Sequence, residues 1–583
     1  MLKELVEAAE RFRAEGHLLP VAYKPKRPQW VVNLSGGEAY LEGPYKSEDV
    51  RAWPAPDRQR SGRPSEGNLK PYLLIDDARH VFGKADPGRE DEARLLHRSY
   101  LDLLEDAWKS TRVPELAEVL EFLRGPDAAS VAEPVGPRDL VAFRVNGSDP
   151  GMTPKVQEFW AYYLAKELAL ETPGQCSTCG RPGEVLRILP REVVILGQKC
   201  QLISFNRGAF CSFGKEQNAN APLCFRCASS AVDALDYLTR AERHRRVLVS
   251  SAKGSPLKNQ LAVFWLKRPV VGCAGDRSYD LEDLLGALLE DSRGQKIGPP
   301  PELAQLQAML GVAWTAEDQA LNLKDNQFYL AVLSANQGRL VVREWLAVSI
   351  GKLRDNLNAF LQATRLVDPT GSECRPQSIP SMVRSLGGEH PNLVRGLLRT
   401  ALLGFPPPPG LLEAAVARFR VPTVLRDRQL LHTLAAAIKL GLTHRRREAR
   451  SMEALSPDRK TAAYFCGRLL AVLEEAQQRA SGWRLDSTLA DRFYGAASTA
   501  PAVTLPLLLA RAQSSHLPKI RKENRGYVLV QRLLEEILTA LGGSGGFPRV
   551  LSLPEQAEFA LGFYHQRAAL RAGRAQGPGE IQN

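Results

Sequence analysis

The chain has 583 residues, enough for more than one domain, and its 44% hydrophobic content is that of a globular protein and not of a disordered one. A formal net charge of +12 favours a polyanionic partner, nucleic acid first, with a basic protein lacking such a partner as the alternative. Nine cysteines, an odd count in a long chain, point to a reducing, cytoplasmic setting and not to a disulfide scaffold.

Leu2, Leu5, Val6, Ala9 and Phe12 recur at helical spacing, so the chain opens on an amphipathic helix, and no signal peptide is expected. Tyr23-Lys24-Pro25-Lys26-Arg27-Pro28-Gln29-Trp30 then interleaves cations with rings. That pattern suits either a nucleic-acid surface or a solvated turn entering the strand at Val31. Residues 51–71 read as a polar loop carrying Arg58, Arg60, Arg63, Asn68 and Lys70, and leading into a strand-like Pro71-Tyr72-Leu73-Leu74-Ile75. A loop of that length is functional or disordered, and its Asn and Lys are suited to base-edge acceptors. Helical patterning from Asp91 to Leu123 is expected to break at Pro114, and a strand-turn follows at Leu140–Gly147. Leu261–Trp265 is a buried-strand candidate; Phe328–Ser334 and Leu340–Trp345 are extended around a turn at Asn336–Arg339. After about residue 370 the pattern is helical throughout, broken at Pro406–Pro409 and Gly542–Gly546. The longest uncharged stretch, Phe493 to Ala510, holds Pro501 and Pro506, so no membrane partner is expected. The expected fold class is α+β. A mixed α/β region over 1–370 embeds a zinc-knuckle-like insert at 174–228; a helical connector over 371–451 and a helical bundle over 452–583 follow.

The most specific motif is a doubled Cys-x-x-Cys. Cys176 and Cys179 are flanked by Gly174 and Gly180; Cys224 and Cys227 follow Pro222. Two such knuckles bring four thiolates to the corners of a tetrahedron, the arrangement of a structural zinc site, against the alternative of four buried free thiols. A clamp of this kind fixes the polar insert between the pairs, with Asn206, Lys215, Gln217, Asn218 and Asn220 as candidate base-reading groups. Lys24, Lys26, Arg27, Arg60 and Arg63 are candidate phosphate contacts. Arg492, His516, Lys519, Arg521, Lys522 and Arg525 are candidates for guiding a strand along the bundle.

Catalytic signatures are missing. No Gly-Lys pair precedes Ser or Thr, and no His-Glu-x-x-His occurs. Gly542–Gly546 matches Gly-x-Ser-x-Gly in letters, but it follows a helix and not a strand. No enzymatic activity is expected.

Several segments in order resemble one family: Gly16 to Pro20 with Tyr23–Arg27, Lys70–Leu74, Phe143–Gly147, Ser204-Phe205-Asn206, Gly214–Gln217, Asn220-Ala221-Pro222 and Leu333-Ser334-x-Asn336. The chain ends on Leu553-x-Glu555-Gln556-Ala557-x-Phe559 to Arg567. The set is similar to the large subunit of the type I-C CRISPR Cascade surveillance complex. The resemblance implies a non-catalytic protein that recognises a protospacer-adjacent motif in duplex DNA, stabilises the displaced strand and recruits a helicase-nuclease. Guide-RNA pairing carries the sequence specificity, a division of labour shared with other RNA-guided effectors. The implied partners are the guide RNA, the backbone and guide-processing subunits, the helicase-nuclease and a small subunit. The family makes that small subunit by internal translation, and Met452, ahead of Ser456-Pro457-Asp458, is the candidate start, with Met382 as runner-up. The first cysteine pair is the commoner one in the family, so zinc is inferred here from spacing alone. The competing readings are a stand-alone zinc-ribbon DNA-binding regulator and a metal-dependent nuclease.

Overall fold

The computed structural model describes the chain apart from residues 47–51, 61–68, 206, 250–258, 275–276, 290–325, 372–373, 376, 388–389, 446–451, 457–460, 524 and 576–583. The chain divides into two compact units: Met1–Arg240 with Ala335–Val341, and Ala241–Ser334 with Val342–Asn583.

In the first unit the opening helix, Leu2–Ala14, buries Leu5, Ala8, Ala9 and Phe12, the stripe its sequence spacing predicts. The stripe packs on the helix Phe225–Arg240, where the Phe12 and Tyr237 rings lie 4.7 Å apart. Arg13 ties the two helices further, through Ser230 Oγ at 3.0 Å and Asp233 Oδ2 at 2.7 Å. A four-stranded sheet runs in the order Glu38–Glu42, Trp30–Ser35, Leu140–Val145, Ile75–Asp77. Its two central strands are parallel, with Val31 opposite Ala142, and the first two strands turn at Gly36 and Gly37, both at positive φ. The helical stretch breaks at Pro114 as expected, into Glu90–Thr111 and Pro114–Arg124. Arg112 takes a left-handed conformation to end the first helix, and Pro114 begins the second, where its missing N–H has no helical partner to lose.

Extended structure before Asp76 is shorter than its residue types suggest. Leu74 has φ +62°, so only Ile75–Asp77 joins the sheet. The reason is Asp76: its carboxylate draws the Tyr72 N–H inward at 2.7 Å and closes a turn where a strand would run straight.

A second four-stranded sheet orders Arg245–Val249, Gln260–Leu266, Gln327–Asn336 and Arg339–Ser349, all in the second unit except Ala335–Val341 at the hairpin end. All seven residues of Gln260–Leu266 are buried. The hairpin turns at Gln337 and Gly338, both at positive φ, and feeds the helix Ile350–Thr364. The buried Lys439 ammonium caps that helix, donating to the Gln362 and Arg365 carbonyls at 3.0 and 2.7 Å. The described remainder is mostly helical, with the strand pair Val271–Ala274 and Arg277–Asp280 and the two-residue strands Leu366–Val367 and Cys374–Arg375 besides.

The centre of the helical region is the crossing of Ala462–Ala480 with Leu553–Ala575. Gly467 and Gly562 let the backbones touch: a Cβ at Gly467 would collide with the Phe559 carbonyl, and one at Gly562 with the Tyr464 carbonyl. Buried polar groups across this contact are paired. Arg468 donates to Gln566 Oε1 at 2.9 Å, and Arg567 grips Glu474 through two bonds of 2.6 and 2.7 Å. The Phe559–Arg567 motif is therefore a packing motif. No described helix is long and apolar enough to cross a membrane.

Gly562→Ala is expected to destabilise the helical region by about 1–3 kcal/mol, the usual cost of overpacking. Gly573→Ala, in the same helix with open space around it, is expected to be neutral or slightly stabilising. Guanidinium unfolding followed by circular dichroism compares the two; equal effects would contradict the close-contact account.

Candidate nucleic-acid interface

The two cysteine pairs meet. Sγ atoms of Cys176, Cys179, Cys224 and Cys227 all lie within 4.8 Å of one another. A short ladder of Gly174–Gln175 against Pro182–Gly183 bends the first pair round Gly180, whose φ of +72° an L side chain resists. Ser177 ties that knuckle to the second pair, donating its N–H and Oγ to the Pro222 carbonyl at 2.8 and 2.9 Å. Cys224 precedes the helix Phe225–Arg240 and Cys227 lies in its first turn, where the helix dipole favours thiolate. Burial raises the Cys176 thiol, but backbone N–H groups of Cys179, Cys224 and Thr178 outweigh it and bring it down to about 7. Burial pushes the Cys227 thiol up instead. A tetrahedral zinc with sulfur ligands at about 2.3 Å sets the sulfurs about 3.8 Å apart. The Cys179–Cys224 separation of 3.9 Å fits that spacing, as does an all-thiol ligand set closing four positions. These four residues can hold a metal ion, and its role there would be structural.

Between the pairs, Val193–Ile195 and Gln198–Cys200 form a hairpin, and the chain then runs through two short 3-10 turns. Lys215 and Gln217 are exposed, and Asn218 is buried with its N–H on the Arg187 carbonyl at 3.3 Å. Asn220 is committed to shaping the segment: its amide donates to the Lys215 and Gln217 carbonyls and accepts from the Ser212 N–H. Asn206 lies outside the described residues.

The cations around the 51–71 stretch form a frame. Arg63 and Asn68 lie outside the described residues, but the residues on either side are firmly held. Arg60 makes two bonds to the fully buried Asp76 carboxylate and a third, at 2.7 Å, to the Lys70 carbonyl. Arg58 bonds Glu167, whose other oxygen lies 3.9 Å from Lys70 Nζ. Lys24 pairs with Asp57 at 2.9 Å. Lys26 donates to the Pro56 carbonyl at 2.9 Å and sits 3.1 Å above the Tyr72 ring; Arg60 lies 3.6 Å from the same ring. Burial depresses Lys26 to about 7, against the pull of Asp57 and Asp76. Burial raises Asp77, but bonds from His80 and Arg79 outweigh it and hold the carboxyl far below its ordinary range. Lys24, Lys26, Arg60 and Lys70 thus act first on neighbouring acids, and Arg27 is exposed. The partners Asp57, Asp76 and Glu167 escape sequence reasoning, because only the fold brings them near. Asp76-Asp77, one residue beyond the Lys70–Leu74 block, is the one signal available.

In the helical region, Arg492, Lys519, Arg521 and Lys522 are exposed. His516 closes a π-turn, Ala512–His516, and is lowered by burial and then by Arg511 and Lys519. Arg525 is bound to Glu523 at 2.9 Å and to the Arg479 carbonyl at 3.0 Å.

Residues 5–571 match the family described as CRISPR-associated protein (Cas_Csd1). The chain belongs to that family. It is the family of type I-C CRISPR large subunits, and family membership places the chain in a CRISPR Cascade complex. No curated protein matches the chain.

Cys224→Ser combined with Cys227→Ser is expected to lower the zinc content of the purified chain from about one per molecule to none, as four-thiolate sites require all their ligands. Inductively coupled plasma mass spectrometry reads this directly; unchanged metal content would rule the cluster out as a zinc site.

Proposed function

We propose that the chain is the non-catalytic recognition subunit of its complex. It reads a short motif in foreign duplex DNA through the segment between Arg60 and Lys70, steadies the displaced strand, and recruits the helicase-nuclease. The observation that carries this reading is the paired frame on both sides of that segment. Arg58 is paired with Glu167 and Arg60 with Asp76, and Arg60 also holds the Lys70 carbonyl, so the residues flanking that segment are fixed in place. Base reading needs such pre-organisation, because hydrogen bonds to base edges discriminate only when donors are held in place. The exposed cations Arg492, Lys519, Arg521 and Lys522 supply a track for phosphates. The absence from the sequence of a phosphate-binding loop or hydrolase motif supports a recognition role without catalysis.

The cysteine cluster serves this function at one remove. It staples residues 176–181 to the start of the helix Phe225–Arg240 and fixes both ends of the insert that carries Lys215 and Gln217.

We also propose that residues 452–583 are made separately as a small subunit. That stretch holds the helix pair crossing at Gly467 and Gly562, whose core is continuous with that of the helices before it. Met452 itself is buried, and the Glu453 carbonyl accepts from Val367 N–H at 2.7 Å.

Asn68→Ala is expected to weaken binding of the assembled complex to motif-bearing duplex by about tenfold, from a loss of about 1–3 kcal/mol for one base contact. Binding to a scrambled-motif duplex should be unchanged, and electrophoretic mobility shifts measure both. Equal affinity of variant and wild type for the motif duplex would refute the assignment. Met452→Leu, which conserves core volume, is expected to abolish the short product on a denaturing gel while the long chain persists; a persisting short band would move the start elsewhere.

A further inference from the structure

Phe213 is the most exposed large apolar side chain described, at 97% of its full area. It occupies the tip of a four-residue turn, Ser212-Phe213-Gly214-Lys215, closed by the Lys215 N–H on the Ser212 carbonyl at 2.9 Å. Both central residues have positive φ, +53° for Phe213 and +70° for Gly214. Asn or Gly adopts the first of these positions far more readily than Phe, so the ring is held out against its backbone preference. Asn220 braces the turn from below by accepting from the Ser212 N–H and donating to the Lys215 carbonyl.

The surroundings decide what such a ring can meet. Phe210, three residues earlier, is also partly exposed and lies 4.7 Å from the Arg339 guanidinium. Arg207 and Lys215 are exposed nearby in sequence, with Glu216 as the one acid between residues 207 and 217. Two rings set among cations do not form the broad apolar patch of a protein-docking site. They match a nucleic-acid strand, whose bases offer flat faces and whose backbone offers negative charge.

We propose that Phe213 is a stacking contact for an unpaired nucleobase of bound DNA, at a strand end or an opened base pair, with Lys215 and Arg207 on the adjoining phosphates. This rests on the DNA-recognition role above and adds to it a residue that reads strand opening and not base sequence. A stack of this kind is sequence-tolerant, since every base presents a π-face.

The test uses the full-length chain and two probes of one sequence: a blunt duplex, and a forked duplex with 2-aminopurine at the first unpaired position. Phe213→Asn keeps the left-handed turn and removes the ring; Phe213→Trp keeps a ring. Wild type is expected to bind the fork with a change in 2-aminopurine fluorescence. Phe213→Asn should weaken fork binding about tenfold, as loss of one base stack does, and leave blunt-duplex binding within about twofold. Phe213→Trp should restore the fork affinity and the fluorescence change. Fork binding by Phe213→Asn at wild-type strength overturns the proposal while leaving DNA recognition intact. Failure of the wild type to bind either probe removes the DNA-recognition reading itself, and the stacking role with it.

Discussion

A carboxylate with no exposure to solvent must be fully bonded, or its burial costs several kcal/mol. Asp76 meets that demand by taking two bonds from Arg60 and one each from the N–H groups of Tyr72 and Asp77, with His80 alongside. This one group turns the chain at Leu74, limits the edge strand to three residues and fixes Arg60 in place. Arg60 in turn holds the Lys70 carbonyl and shares the Tyr72 ring with Lys26. The frame on which the proposed motif reader stands is therefore assembled around a buried negative charge. Its cations are spent first on local acids.

The cysteine cluster and the helical crossing obey the same logic by other means. Four thiols converge because a glycine permits a tight turn at one end and a helix begins at the other. The two long helices converge because Gly467 and Gly562 remove the side chains that would hold them apart. In each case a small residue sets the approach and a polar network fixes the register: Ser177 with the Pro222 carbonyl in one, Arg567 with Glu474 in the other.

Much of this was legible from residue order alone. Helical stripes such as Leu5, Ala9 and Phe12, the break at Pro114, the turn at Gln337-Gly338 and the paired Cys-x-x-Cys motifs are local patterns, and each appears where periodicity or spacing places it. The mixed first part and the helical second part follow from the same patterns. What the sequence hides is long-range pairing. Nothing near Arg58 announces Glu167, more than one hundred residues later, so runs of cations read as phosphate contacts when several are framework ion pairs. Asn220 carries base-reading chemistry in its side chain, yet its hydrogen bonds are taken by its own loop. Phe213 goes unnoticed in sequence because a phenylalanine is usually buried, and only φ and exposure reveal a projecting ring.

The central claim is that a rigid, acid-paired frame presents the segment between Arg60 and Lys70 to the DNA motif. Photo-cross-linking tests it most directly. A duplex carrying a photoreactive base within the motif is bound to the assembled complex, irradiated, and the attached peptide is sequenced. Attachment is expected within residues 57–72. Attachment confined to residues 342–575, with none in the first unit, would contradict it.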